Sequence, residues 1–300
     1  LPRIAYLAHG DDARLFNLIS ERFELAVKAH KEKRIFLEKL LAIGEDGPLS
    51  LLTMNRDGMP YLRFNLASHL IGMVGLNEMV QIHTGEELHD SKRALKFGLR
   101  IIAHMNLLTD KIKRRDGIKV VLEQTPAEST SYRFARLDLR YFSPASGRVV
   151  KGDVSSGEVY YTNSTHLNVK NHINPIERVT NEGIFHPLIE AGSISHVWLG
   201  EARPTKEAIA DFVIKTFKHT TNDQIAFSPE FTTCNKCNRT SRGLTDTCTY
   251  CGSADVDGIT RITGYFTKIS SWNKGKRGEL KDRYRNTEYF FERKEQAVNE

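Results

Sequence analysis

Cysteine is missing from everything that precedes Cys234, and the 300 residues hold only four. A disulfide-stapled secreted scaffold is therefore excluded as the organising principle. No uninterrupted apolar run approaches the roughly 20 residues that a membrane-spanning helix needs. The chain opens on Leu1-Pro2-Arg3, without Met and without the charged and apolar regions of a secretory signal. It is thus read as a soluble, cytoplasmic piece of something longer, with no membrane partner. Fixed-period repeats and low-complexity segments are also lacking. Charge is not one-sided: 43 Lys and Arg stand against 37 Asp and Glu, a net +6 that suits anionic ligands without demanding nucleic acid. None of the 11 histidines shows a recognised ligand spacing, so they receive no role.

What is present is enough to fold. Hydrophobic residues make up 40% and charged residues 27%, which rules out disorder for most of the chain and fits one large domain or two ordinary ones. Ile4 to Ala8 is a short apolar run expected as a buried strand. From Asp12 to Ile43 the recurrence of Leu15, Ile19, Phe23 and Ala26 predicts a helix that Gly44 stops. Residues 49–65 read as extended with a turn at Asp57-Gly58. Ala94, Phe97, Ile101, Met105, Leu108 and Ile112 form one stripe of a helix from Asp90 to about Arg114, and Gly117 then turns into a strand over 118–122. Extended segments are expected at 158–162 and 195–199, with a helix capped by Thr205 after the latter. Strands alternating with long helices predict an α/β fold with parallel neighbours. Near Phe227-Ser-Pro229 the composition shifts to Cys, Thr, Asn and Gly. The expected division is an α/β body at 1–227 and a small module at 228–300.

Cys234, Cys237, Cys248 and Cys251 form two CxxC pairs a short segment apart, the pattern of a closed, structural zinc site. A disulfide or a redox dithiol is the competing reading. With all four thiolates on a metal, none is left for catalysis.

Two places in the body invite a ligand. The hydroxyl-rich turn from Glu123 to Tyr132 lies between a strand and a helix, where free N–H groups and the helix dipole favour phosphate. An ordinary N-cap with Pro126 in the first turn explains it nearly as well. Asn77 and Glu78, after Gly72-Met-Val-Gly-Leu, read either as a buried polar pair facing a cleft or, favoured by spacing, as a helix start with Glu78 in solvent. The basic runs 28–34, 111–115 and 274–285 read as solvated faces. Gly264 sits among β-branched and aromatic residues in Arg261-Ile-Thr-Gly-Tyr-Phe266, as a bulge or a point of close approach would require.

The order CxxC, CxxC, RITGYF (261–266) and WNKGKRGELKDR (272–283) resembles the C-terminus of the anaerobic, class III ribonucleotide reductases, which are glycyl radical enzymes. NLASHLIGMVGLNE (65–78), LEQTPAESTSYRFARLD (122–138) and VYYTNSTHL (159–167) resemble the same family, so the likeness covers essentially the whole chain. It implies the C-terminal part of a ten-stranded α/β barrel, followed by a zinc-binding module and a glycyl radical loop. By the same resemblance Gly264 is the radical glycine, and the four cysteines hold the zinc that supports its loop. Thr125, Ala127, Glu128, Ser129 and Thr130 are implied to receive the phosphates of a ribonucleoside triphosphate, with Asn77 and Glu78 lining the substrate site. A radical S-adenosylmethionine activase with an iron–sulfur cluster is the implied partner, and a homodimer the implied assembly. The family's thiyl cysteine has no counterpart before Cys234, so this chain is expected to be inactive alone, the upstream part of the same enzyme being required. A Cα radical needs a flat centre conjugated with the flanking amide groups, which any Cβ would crowd. Gly264 is therefore expected to be held rigidly and screened from solvent. A rival reading is a zinc-ribbon module that grips nucleic acid through its basic 274–285 tail. A third is an inactive remnant that scaffolds an oligomer.

Overall fold

The computed structural model describes residues 1–56, 58–287 and 289. It opens with helix α1 (Pro2–Ala8) where a strand is expected. Five apolar residues cannot distinguish the two periods. Pro2 occupies the first helical turn, where its missing N–H costs nothing, and Ala5, Tyr6 and Ala8 are buried. Helix α2 (Asp12–Leu41) starts at Asp11, whose carboxylate accepts from Arg14 N, and buries Leu15, Ile19, Phe23 and Val27. Gly44, at φ +76°, follows its end. A single helical turn, α3 (Ser50–Thr53), interrupts the expected extended stretch before a minimal hairpin, β1 (Asn55–Arg56) and β2 (Met59–Pro60). Gly58 supplies the positive φ of its turn, and Asp57 lies outside the described residues.

The α/β expectation holds in two crossovers. Strand β3 (His69–Gly72) leads through helices α4 (Leu76–Thr84) and α5 (Lys92–Asp116) to β4 (Val120–Glu123), which lies parallel to β3. Ser91 caps α5 and Gly117 ends it at φ +68°. After α6 (Glu128–Tyr141), the antiparallel β5 (Lys151–Asp153) and β6 (Glu158–Tyr160), and α7 (Pro175–Gly183), a second parallel pair forms. It consists of β7 (Ser195–Gly200) and β8 (Ile225–Pro229), joined by α8 (Lys206–His219), whose cap is Thr205 accepting from Ala208 N. Parallel strands require such long connections. The main apolar core is built from α1, α2, α4, α5, β3 and β4, around Leu15, Leu76, Met79, Ile101 and Ile112.

The architecture changes after Pro229. Strands β9 (Phe231–Cys234), β10 (Thr240–Arg242), β11 (Val256–Arg261) and β12 (Phe266–Lys268) form one antiparallel sheet in the order β10-β9-β11-β12. Helix α9 (Lys274–Asp282) then returns to the body and packs on β6. The approach is close: a Cβ on Gly275 would stand 2.7 Å from Val159 O, and one on Gly278 2.3 Å from Glu158 O. Only glycine allows that contact. The remainder of the expected module, 288 and 290–300, lies outside the described residues.

Candidate active site around Gly264

The four cysteines come together as two matched knuckles. In one, Cys234 N–H donates to Arg239 O and Asn238 N–H to Cys234 O; in the other, Cys248 N–H donates to Ser253 O and Gly252 N–H to Cys248 O. Asn238 and Gly252 both take positive φ, 55° and 71°, which turns each loop back on its sulfurs. The Sγ atoms all lie within 4.8 Å of one another, with Cys234–Cys251 at 3.7 Å and Cys237–Cys248 at 3.6 Å. A tetrahedral zinc with bonds near 2.3 Å would space its sulfurs by about 3.8 Å, and a disulfide by only about 2.0 Å. The arrangement therefore fits a metal and no disulfide joins these residues. The Tyr250 N–H on Cys248 Sγ brings that thiol down to about 6. Cys237 moves the other way, to about 11: the Arg239 N–H works to lower it, but burial and the three neighbouring thiols prevail. Deprotonated together, four sulfurs this close would need a cation between them.

The sheet that carries the knuckles continues into Gly264. Strands β11 and β12 are joined by Ile262 to Tyr265, closed by Ile262 N–H donating to Tyr265 O at 2.9 Å. Gly264 is at the tip and exposed, so the expected screening from solvent is not provided by this chain. The hairpin turns it towards the body instead, and a Cβ built on it would meet Pro126 Cβ at 3.8 Å.

Pro126 belongs to the hydroxyl-rich turn. Ala127 precedes α6 and no side chain caps that helix end, which leaves its first N–H groups free of a side-chain acceptor. Thr125 Oγ1 donates to Glu123 Oε2 at 3.0 Å. Thr125, Ala127 and Thr130 line a mostly apolar cavity of about 400 Å³ with Gly72, Met73 and Arg22. Ser129 is exposed, and Glu128 O accepts from Asn273 Nδ2 at 3.0 Å, tying the turn to the start of α9.

Asn77 and Glu78 do start a helix, yet neither side chain reaches solvent: both are 0% exposed. Glu78 accepts from Thr162 Oγ1 at 2.5 Å and Thr162 N at 3.1 Å. Asn77 bonds Leu88 N, Glu78 and Glu87. The expectation of Glu78 in solvent fails because residues 160–166 cover the helix start, with Gly75 and Leu76 N–H donating to Thr162 and Ser164 carbonyls. Burial raises the Glu78 carboxyl above its ordinary value, against the pull of the Lys151 charge. Lys151 itself pairs with Glu87 at 2.6 Å. Asn77 and Glu78 thus lie beneath the covering segment, and Asn163 of that segment reaches Thr263 Oγ1 at 3.4 Å.

The clearest surprise is α9. Its charges read as a solvated face, but Lys276, Glu279 and Arg283 are 0%, 3% and 2% exposed and grip the hairpin. Lys276 Nζ donates to Thr263 Oγ1 at 2.7 Å and to Glu279 Oε2 at 2.5 Å. Arg283 bonds Glu279 at 2.8 Å and the carbonyls of Arg261 and Ile262 at 2.9 and 2.7 Å. Its guanidinium sits 3.9 Å from the Trp198 ring centre and 5.4 Å from that of Trp272, so both tryptophans of the chain hold it. Burial acts to raise the Glu279 carboxyl, but the Lys276 and Arg283 charges override it and hold it below the ordinary value. A signal existed in the sequence: charges at i, i+3 and i+7, interleaved with Gly275 and Gly278, mark a helix face pressed against something. These inward charges withdraw Lys276 and Arg283 from the nucleic-acid reading of the 274–285 run, while Lys274 and Lys281 stay exposed.

A glycine-tipped hairpin and a strand-to-helix turn whose helix end no side chain caps therefore meet at one place, and the cysteine cluster lies on the same sheet towards the opposite end of β11. The sequence model of the anaerobic ribonucleoside-triphosphate reductases matches residues 1–285. The chain belongs to this family. It is 30% identical over 305 aligned positions to the anaerobic ribonucleoside-triphosphate reductase of Escherichia coli, and 25% identical over 306 to that of Enterobacteria phage T4. Each alignment takes in 94% of this chain but only 41% and 47% of the respective relative, so the chain spans less than half their length. Among solved structures, an anaerobic ribonucleotide reductase superposes with a TM-score of 0.77 at 21% identity, covering 95% of this chain and 43% of its own. The anaerobic ribonucleotide reductase of Thermotoga maritima in complex with dATP and CTP gives 0.73 at 21% identity, with 93% and 43% covered. The family's fold is therefore shared across nearly all of this chain. Among the described residues no helix is long and apolar enough to cross a membrane.

Proposed function

We propose that this chain supplies the radical-storing half of an anaerobic ribonucleoside-triphosphate reductase. In this reading residues 1–227 are the C-terminal part of a ten-stranded α/β barrel, and 228–300 form the zinc module with its glycyl loop. Gly264 stores the radical, and Cys234, Cys237, Cys248 and Cys251 hold a structural zinc that pins the base of its hairpin. The observation that carries the proposal is the approach of the Gly264 tip to Pro126, in the hydroxyl-rich turn that this reading assigns to the substrate phosphates.

In the proposed chemistry one Cα–H bond of Gly264 breaks on activation, the hydrogen atom leaving with a radical generated by an iron–sulfur, S-adenosylmethionine-dependent activase. Gly264 Cα later takes a hydrogen atom from the thiol of a cysteine supplied from outside this chain, and the thiyl radical left on that sulfur takes the 3′ hydrogen of a ribonucleoside triphosphate. Water leaves from C2′, and formate or a thiol protein returns the two electrons needed. This chain's part is to position. Thr125, Ala127, Glu128, Ser129 and Thr130 present the end of α6 to the phosphates. Asn77 and Glu78 act from below, fixing Thr162 and through it the segment that touches Thr263. The exposed face of Gly264 is covered by the part of the family fold that this chain does not span, and the enzyme works as a homodimer in the cytoplasm.

The test is paramagnetic resonance on the complete enzyme, activated anaerobically. A doublet that disappears in Gly264→Ala, together with cleavage at residue 264 after air exposure, is the expected result. A doublet that survives the substitution sinks the assignment.

A further inference from the structure

Arg261 makes contacts that neither the metal knuckle nor the α9 clamp requires. Its Nε donates to Thr263 O and its Nη2 to Gly264 O, both at 2.9 Å. Those are the two carbonyls that flank the Cα of Gly264. The guanidinium has no ion-pair partner among the described residues: its charge is directed at backbone oxygen. Arg283 offers an internal contrast, since it holds the carbonyls of Arg261 and Ile262, upstream of the glycine, and donates no hydrogen bond to Gly264.

We propose that Arg261 is a catalytic residue whose guanidinium tunes a radical at Gly264. This rests on the reading of Gly264 as the storage site. When one Cα–H bond breaks and the hydrogen atom departs with an external carbon-centred radical, the electron left behind spreads in two directions. It reaches the Gly264 carbonyl oxygen on one side and conjugates with the amide nitrogen on the other. A cationic donor on that oxygen stabilises the charge that delocalisation places there, and charge-assisted hydrogen bonds are the strong ones. The second donor, on Thr263 O, fixes the preceding peptide plane, so one rigid group sets the relative orientation of both amides on which conjugation depends. Lysine could not do this, because an ammonium is a point charge without a planar fork.

The experiment uses the complete enzyme, with glycine labelled by carbon-13 at the carbonyl and activated anaerobically as above. Parent, Arg261→Met, Arg261→Lys and Arg283→Met are compared. Arg261→Met is expected to change the carbonyl carbon-13 coupling of the doublet and to shorten the radical's lifetime by roughly tenfold or more, the scale of losing one charged hydrogen bond. Arg261→Lys should fall between. Arg283→Met should alter yield or lifetime and leave the coupling at the parent value, which separates electronic tuning from a merely structural role. Metal content at the four cysteines checks that each variant has folded. Should Arg261→Met lose its metal, the lysine variant decides, and a parental coupling there overturns the proposal. So does a parental coupling in a folded Arg261→Met. A parent enzyme with no doublet at all overturns the storage reading itself, and this one with it.

Discussion

Residues 2–229 and residues 231–283 are held together by different physics. The body buries a continuous apolar core from α1, α2, α4 and α5 against β3 and β4. The hairpin region has a much smaller apolar cluster, Ile262, Trp272 and Leu280 with Ile269 beside them, and relies on four thiols and three buried charges. Hydrophobic burial is strong but non-directional, and tolerates small shifts. Metal coordination and charged hydrogen bonds fix distances and angles. The part whose hairpin carries Gly264 is built from the directional kind.

The comparison can be broken most severely at the cysteines. Structural zinc contributes about 10–16 kcal/mol in small zinc-dependent domains near neutral pH. Cys248→Ser, or chelation of the zinc proposed there, is expected to unfold residues 231–268 while amides of α5 stay protected. Hydrogen exchange read by mass spectrometry checks this, and simultaneous loss of both regions would show them to be one cooperative unit.

A smaller break is Glu279→Ala, which strands Lys276 and Arg283 as buried unpaired cations at a cost of about 3–5 kcal/mol. Its counterpart in the body is Ile101→Ala, costing about 2–5 kcal/mol through the cavity it leaves. The first should loosen the Gly264 hairpin and leave the α5 amides slow. The second should lower the melting temperature of the body. Equal effects of each on both regions would count against the division.

The finest contrast lies in two buried glutamates shifted in opposite senses from the ordinary carboxylate value of 4.5. Glu279 is held low, so its contribution to the hairpin is present above pH 4.5 and is lost as the pH falls through its folded value. Glu78 is raised, so its contribution to the body is complete below pH 4.5 and is lost as the pH rises through its folded value. Local opening measured by native-state exchange should slope with opposite sign in the two regions. Glu279→Gln and Glu78→Gln should each flatten one slope only.

Much of the fold was legible because the long helices carry their own period. The stripes of α2 and α5, the Thr205 cap and the Gly117 turn each follow from local chemistry. Ile4 to Ala8 was misread as a strand because so short a run has no period to measure, and its burial against α2 and α4 decides its form. The site was legible in its parts. The cysteine spacing gave the knuckles, and the turn after β4 showed its open helix end. The burial of Lys276, Glu279 and Arg283 was not visible, since a charged helix turned inwards has the same letters as one facing water.

By itself, then, the sequence determined the long helices, the cysteine quartet and the family, because helix period, cap chemistry and ligand spacing act over a few residues at a time. Only the tertiary structure decided that Gly264 stands against Pro126, that residues 160–166 bury Glu78, and that Arg283 lies between the two tryptophans. Those contacts join residues far apart in the chain, and their energies depend on desolvation and distance, which exist only once the whole chain has packed.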